Sequence, residues 1–231
     1  MAIISENLTE AYFLRELKNR FLCEVEVKGK LFECYVPSSC RLSNFLELDG
    51  KPVLLKQNIS PKGRTKYALV AIPYKRSYIL LNSSFANRVV EDNIHKRQFS
   101  FLEKRTIILK EYYIEDYKAD LFVVDSNTIV EIKSVISINE AAIFPKVYSE
   151  RAIKQLTILK SLLQKGYKAC YIIISLNPYA NEIILDTTSR LFELFTDCQA
   201  LGMQAKSFAC RLKRNEIIIS KEIPLIGILR N

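Results

Sequence analysis

ADLFVVDSNTIVEIKS, residues 119–134, reads as a β-hairpin: an apolar run, a turn at Asp125-Ser126-Asn127, then a second run. Side chains alternate faces along a strand, so Glu131 and Lys133 share one face and Val130 and Ile132 take the other. A carboxylate and an ammonium inside an otherwise apolar strand are costly to bury unless each has a partner or a metal. Asp120 opens the first strand, where the hairpin brings it beside Glu131. Two carboxylates at close range raise each other's pKa. A hard divalent cation removes that conflict, and Mg²⁺ is commonly held by only one or two protein carboxylates. Lys133 is then placed to stabilise negative charge on a phosphate or to orient a water. An acid followed by acid-x-lysine is the arrangement of metal-dependent nucleases. The same residues also suit a solvated strand edge carrying a Glu/Lys pair, a device that protects sheet edges. The pattern by itself leaves both readings open.

Around this hairpin the second half of the chain alternates strand and helix patterns. TIILKEYYI (106–114) is a strand run, preceded by NRVVEDNIHKRQFSFL (87–102), whose apolar residues have helical spacing. His95, the sole histidine, is read as an ordinary residue of that helix; no nucleophile-elbow motif accompanies it. ERAIKQLTILKSLLQKG (150–166) is the clearest helix, with Gly166 as its stop. ACYIIISL (169–176) is nearly continuous in apolar residues, as expected for a strand covered on both sides. RLFELFTDCQALG (190–202) predicts a further helix and SFACRLKRNEIIIS (207–220) closing strands.

The first half has another texture. LTEAYFLRELKNR (8–20) has mixed periodicity and a Thr9 that suits a helix cap. FLCEVEVKGKLFECYV (21–36) alternates, with Gly29 at its turn; Asp49-Gly50 is another turn signal; TKYALVAIPY and RSYILLN give two more strands around Pro73. Several short strands with turns between them suggest a small OB-type barrel, a fold that commonly binds single-stranded nucleic acid. Lys56, Lys62, Arg64, Lys66, Lys75 and Arg76 gather in its second half with Tyr67, Tyr74 and Tyr78 among them. That mix suits phosphate contact and base stacking, and equally a solvated face over core tyrosines. The expected division is 1–82 for this domain and 83–231 for the next.

Bulk properties narrow the function. Of 231 residues, 34 are Lys or Arg and 25 Asp or Glu, a net charge of +9 that favours a polyanionic partner such as nucleic acid. No run approaches the ~20 apolar residues of a membrane span. MAIISENLTE lacks a basic region followed by an apolar core, so cytoplasm is the default location. Six cysteines without a C-x-x-C pair, and one histidine, give no basis for a zinc cluster. Reduced thiols are expected, with Cys23 and Cys34 on neighbouring strands but no bridge implied.

The chain resembles the sugar fermentation stimulation protein (SfsA) family over nearly its whole length. LKNRFLCEVEVKG is similar to the family's opening strand pair; GRTKYAL, LNSSFAN, LKEYYIEDYKADLFV with IVEIKSV, and FPKVYSERAIKQL match further family segments. The resemblance implies an α/β (α+β) architecture: an N-terminal OB-like β-barrel, then a PD-(D/E)XK nuclease-like domain with a mixed central sheet. It implies DNA binding, and an acidic centre of Glu111, Asp120 and Glu131 with Lys133 beside them. Mg²⁺ or Mn²⁺ would sit on Glu111, Asp120 and Glu131, with the Ile132 carbonyl as a further ligand. Arg41, Arg64, Lys66, Tyr67, Lys118, Arg151 and Lys154 are the candidate nucleic-acid contacts; Arg151 and Lys154, three apart, share a helix face. The chain departs from the family at Pro37-Ser38-Ser39-Cys40, where a P-N-T-G stretch is usual, at Tyr117-Lys118 for S-R, and at Lys146, Ala152 and Gln155.

Two functions follow. One is a metal-dependent nuclease; the other is a non-catalytic DNA-binding or regulatory protein on the same scaffold, since fold and activity separate readily. No helix-turn-helix pattern supports a conventional transcription factor. A sugar-metabolising enzyme ranks last: the chain has six glycines and no phosphate-cradling glycine loop. The oligomeric state is left open, a homodimer included.

Overall fold

The computed structural model describes residues 2–3 (backbone only), 8–38, 40–58 and 64–227. Alternation builds the first half. Along β3 (Leu22–Val27) the residues Cys23, Val25 and Val27 are buried and the residues between them are not. Lys28 and Gly29, both with positive φ, make the two-residue turn into β4 (Lys30–Tyr35). With β2 (Leu8–Glu16), β5 (Pro52–Gln57) and β6 (Tyr67–Tyr74) the order is β4-β3-β2-β5-β6, and a parallel contact of Cys34 with Tyr67 and Tyr35 with Ala68 closes the ring. Closure removes the free edges. β7 (Ser77–Leu80) adds to β6 through a turn at Lys75-Arg76, so Pro73 lies within β6, opposite Tyr78. Thr9 is not a helix cap: it lies in β2, whose inward positions are Ala11 and Phe13.

The second half is built on a seven-stranded mixed sheet. Its order is β1 (Ala2–Ile3), β15 (Glu216–Glu222), β14 (Gln204–Lys213), β12 (Lys168–Ser175), β10 (Thr128–Val135), β9 (Tyr117–Val123), β8 (Ile108–Ile114). β10, β12 and β14 run parallel; the flanking pairs are antiparallel. One face packs on α1 (Ser84–Asn93) and the barrel through a single apolar cluster that includes Phe13, Leu69, Val89, Val130, Ile132 and Ile172. The other face packs on α2 (Glu150–Gln164) and α3 (Arg190–Ala200). β12 is buried on both sides, which explains its unbroken apolar run.

Three short strands have no counterpart in the sequence reading. β11 (Ala141–Phe144), β13 (Glu182–Leu185) and β16 (Leu225–Ile226) form a separate parallel sheet beside α2 and α3. His95 also differs from expectation. α1 ends at Asn93, and His95 stands exposed in the turn before the 3-10 segment Arg97–Leu102. All six cysteines are unbridged; Cys23 and Cys34 face each other across β3 and β4, where the Cys23 thiol donates to the Cys34 carbonyl at 3.7 Å. Among the described residues no helix is long and apolar enough to cross a membrane.

Candidate acidic site

Strand register sets the site. In the β8–β9 ladder Lys110 faces Leu121 and Tyr112 faces Ala119, which puts Glu111 level with Asp120. In the β9–β10 ladder the last pair is Val130 with Leu121, which leaves Asp120 and Glu131 at the first position beyond it. The three acids therefore occupy one row across three strands. The chain changes face along this row. Ala119 packs toward the helices and Leu121 toward the barrel, although two residues apart on one strand would ordinarily share a face. Opposite, Glu111 has φ +47°, a left-handed conformation unusual for a residue with a side chain.

The β9–β10 pairing stops at Leu121 and Val130, and the Asp120 side chain stands in for the lost backbone partner. Its Oδ2 accepts from the Ile132 amide at 2.8 Å, and its Oδ1 from Asn87 Nδ2 of α1 at 2.8 Å. Glu131 is buried, its side chain only 2 % exposed. Lys133 Nζ donates to Glu131 Oε1 at 2.5 Å and to Gln155 Oε1 of α2 at 2.8 Å. The Tyr117 hydroxyl donates to Glu131 Oε2. Burial, and then the Glu131 charge, raise the Asp120 pKa to about 6 against the opposing pull of the Ile132 amide, Lys133 and Asn87. Burial and the same glutamate hold Tyr117 protonated, so it acts as a donor.

Glu111 does not join this pair. Its carboxylate is 75 % exposed and bonds Lys118 Nζ at 2.8 Å, which lowers its pKa and raises that of the lysine. Among the described residues no group of three or more His, Cys, Asp or Glu is arranged to hold a metal. The expected three-acid centre is thus Asp120 and Glu131, with Lys133 bonded to Glu131, while Glu111 lines the same cavity but is largely exposed and paired with Lys118 of β9. Lys118, expected to contact nucleic acid, is committed to Glu111.

The pair lies in a cavity of about 500 Å³ between the two halves of the chain. Ser38, Cys40 and Phe45 come from the barrel side, Asn87 and Arg88 from α1, and Arg151 from α2. Ser149 caps α2, its hydroxyl accepting from the Ala152 amide at 3.2 Å, and so aims the first turn of that helix at the cavity. Arg151 lines the cavity; Lys154, one turn on, is exposed and does not.

The barrel candidates scatter. Arg41 is used structurally, its guanidinium donating to the carbonyls of Leu17 and Lys18 at 3.1 and 2.9 Å. Tyr67 is no base-stacking platform: it is buried at the closing seam, edge-on to Phe32 at 5.3 Å. Lys66 lies over both rings, and Arg64 is exposed. Lys62 and Ser39 fall outside the described residues. Lys75, expected to face phosphate, bonds Glu140 of the other half at 2.7 Å.

The family model for the sugar fermentation stimulation protein RE domain matches residues 84–216, and that for the SfsA N-terminal OB domain matches residues 16–81. The chain belongs to the sugar fermentation stimulation protein family. Its closed barrel is accordingly the family's OB domain. A sugar fermentation stimulation protein homolog of Pelagibacter ubique is 24 % identical, covering 98 % of this chain and 97 % of that protein. A homolog of Methanobrevibacter smithii is 30 % identical over 71 % of this chain and 74 % of its own length. The solved structure of Pyrococcus furiosus SfsA, in complex with Ca²⁺, has 21 % sequence identity and superposes with a TM-score of 0.83 over 97 % of this chain and 99 % of that one. The fold is shared along essentially the full length.

Proposed function

We propose that this member of the SfsA family binds nucleic acid, DNA first, and hydrolyses phosphodiesters with a divalent metal on a C-terminal domain of PD-(D/E)XK nuclease type. The observation that carries the reading is the pair Asp120–Glu131 lining one cavity, with Asp120 held by the Ile132 amide next to Glu131 and with Lys133 bonded to Glu131. A structural ion pair would not need a second carboxylate there. Burying one raises its pKa, a conflict that a cation relieves.

The donor set fits a hard divalent ion. Each carboxylate oxygen of the pair accepts one hydrogen bond, which leaves lone pairs for coordination. Tyr171, the cross-strand neighbour of Glu131 on β12, has a buried hydroxyl with no hydrogen-bond partner. The Pyrococcus furiosus relative was solved with Ca²⁺, an oxygen-seeking cation of the same class. Asp120 and Glu131 would hold Mg²⁺ or Mn²⁺, with the Ile132 carbonyl as a further ligand and Glu111 entering through water. Such an ion supplies Lewis-acid stabilisation and an acidified water. The chain's own residues do the rest. Asn87 and the Ile132 amide lock Asp120, Tyr117 locks Glu131, and Gln155 fixes the Lys133 ammonium where it can orient water or meet developing charge. Arg151 would take a phosphate oxygen.

The test is incubation of labelled single- and double-stranded DNA and RNA with Mg²⁺, Mn²⁺ or EDTA, with wild type beside Asp120→Asn. Metal-dependent products that vanish in the variant while binding persists are the expected result. Products that survive the substitution refute the site. Nucleic acid that is shifted but never cut identifies a non-catalytic binder.

A further inference from the structure

The cavity that holds the acid pair is lined by two kinds of side chain. Asp120, Glu131 and Lys133, with Glu111, Arg88 and Arg151, supply charge. Phe45 of the barrel and Ile143, Phe144, Pro145 and Val147 from β11 and the loop after it supply apolar surface. Ile143 is 53 % exposed, an apolar side chain without cover on the cavity wall.

A duplex has no use for such a wall. Its bases are stacked and paired, and it presents phosphates, sugars and polar groove edges. An unpaired base exposes an apolar face that gains by packing against aromatic or aliphatic side chains. A cavity of about 500 Å³ is in the range that encloses a small ligand, which suits one nucleotide and not a segment of double helix.

We infer that the site takes single-stranded nucleic acid, one unpaired nucleotide at a time, its base against the Phe45–Ile143–Val147 wall and its phosphate toward Asp120, Glu131 and Arg151. The inference rests on the reading of the acid pair as facing a phosphate. The experiment is fluorescence anisotropy on the full chain, in EDTA and in Ca²⁺. The probes are a short labelled DNA strand, its RNA counterpart and the blunt duplex of the same sequence. Single strands should bind about tenfold more tightly than duplex, the scale of one stacked base. Ile143→Ser, at a solvent-facing position, and Phe45→Ala should each erase most of that preference and leave duplex affinity unchanged. Duplex bound as tightly as single strand, wall substitutions that weaken both alike, or no binding of either would overturn the inference. Cleavage is scored separately. A chain that prefers single strands but never cuts retires the nuclease reading alone, and one that binds and cuts blunt duplex as readily retires the single-strand inference alone.

Discussion

Glu131 and Glu111 sit at opposite ends of one cross-strand row, yet their surroundings are opposite. Glu131 is on β10, with strands on both sides and a helix over it, and each of its oxygens has a partner from the protein interior. Glu111 is on β8, the last strand of the sheet, with solvent on one side and Lys118 for company. Register makes acids neighbours; neighbouring elements decide whether they become a site. A central position brings burial and fixed donors, which hold a carboxylate in one orientation. An edge position screens the same charge with water and leaves it to a flexible lysine.

The largest effect should separate the two ends directly. Glu131→Gln should lower metal-dependent cleavage by about a hundredfold or more, whereas Glu111→Gln should cost less than about tenfold. Initial rates on one substrate would show it, and equal losses would break the comparison. The next effect concerns the partners. Tyr117→Phe leaves Glu131 Oε2 without its donor in a buried place and should destabilise the fold by about 1–3 kcal/mol. Lys118→Ala, at the exposed end, should stay within about 0.5 kcal/mol by urea unfolding.

The smallest effect is one of sign. In the metal-free protein the Asp120 pKa is raised from its ordinary 3.8 to about 6. Between those values the folded state keeps a proton that the unfolded chain has lost, so this group's contribution to stability falls as pH rises through the window. The Glu111 pKa is lowered, so its contribution is present above the ordinary carboxylate value and fades as pH falls. Urea midpoints from about pH 4 to about pH 7 should therefore rise less with pH in wild type than in Asp120→Asn, and more than in Glu111→Gln. A wild-type profile that Asp120→Asn does not change would show that the burial around this aspartate has no consequence.

Much of this arrangement is legible in the chain because it is local. Two apolar runs either side of Asp125-Ser126-Asn127 give the hairpin, and with it the nearness of Asp120 and Glu131. The nearly continuous apolar run of 169–176 gives the central strand, and Gly166, with φ +93°, ends α2 as a helix-stopping glycine does. What is not legible comes from long range. Asn87, Tyr117 and Gln155 bond the three key side chains from α1, β9 and α2, and no spacing announces such partners. Tyr117 and Gln155 stand out only as departures from the family pattern. Tyr67 reads equally as a stacking aromatic or a core tyrosine among lysines, and only the β4–β6 seam decides for the core. The small parallel sheet has strands of two to four residues, too short for any periodicity to register.

The apolar cluster that runs unbroken from inside the barrel, through α1, to one face of the large sheet constrains how the cavity can behave. It is reinforced where the Leu80 amide donates to the Leu176 carbonyl and the Tyr74 hydroxyl to that of Ile138. Among the described residues the two lobes share one apolar core across this seam. Were a single strand to enter the cavity as proposed, the walls it meets would already be packed on this core, which would leave less ordering entropy for binding to overcome. Excising either lobe would bare an oily flank to water, and the intact polypeptide should melt as one cooperative body.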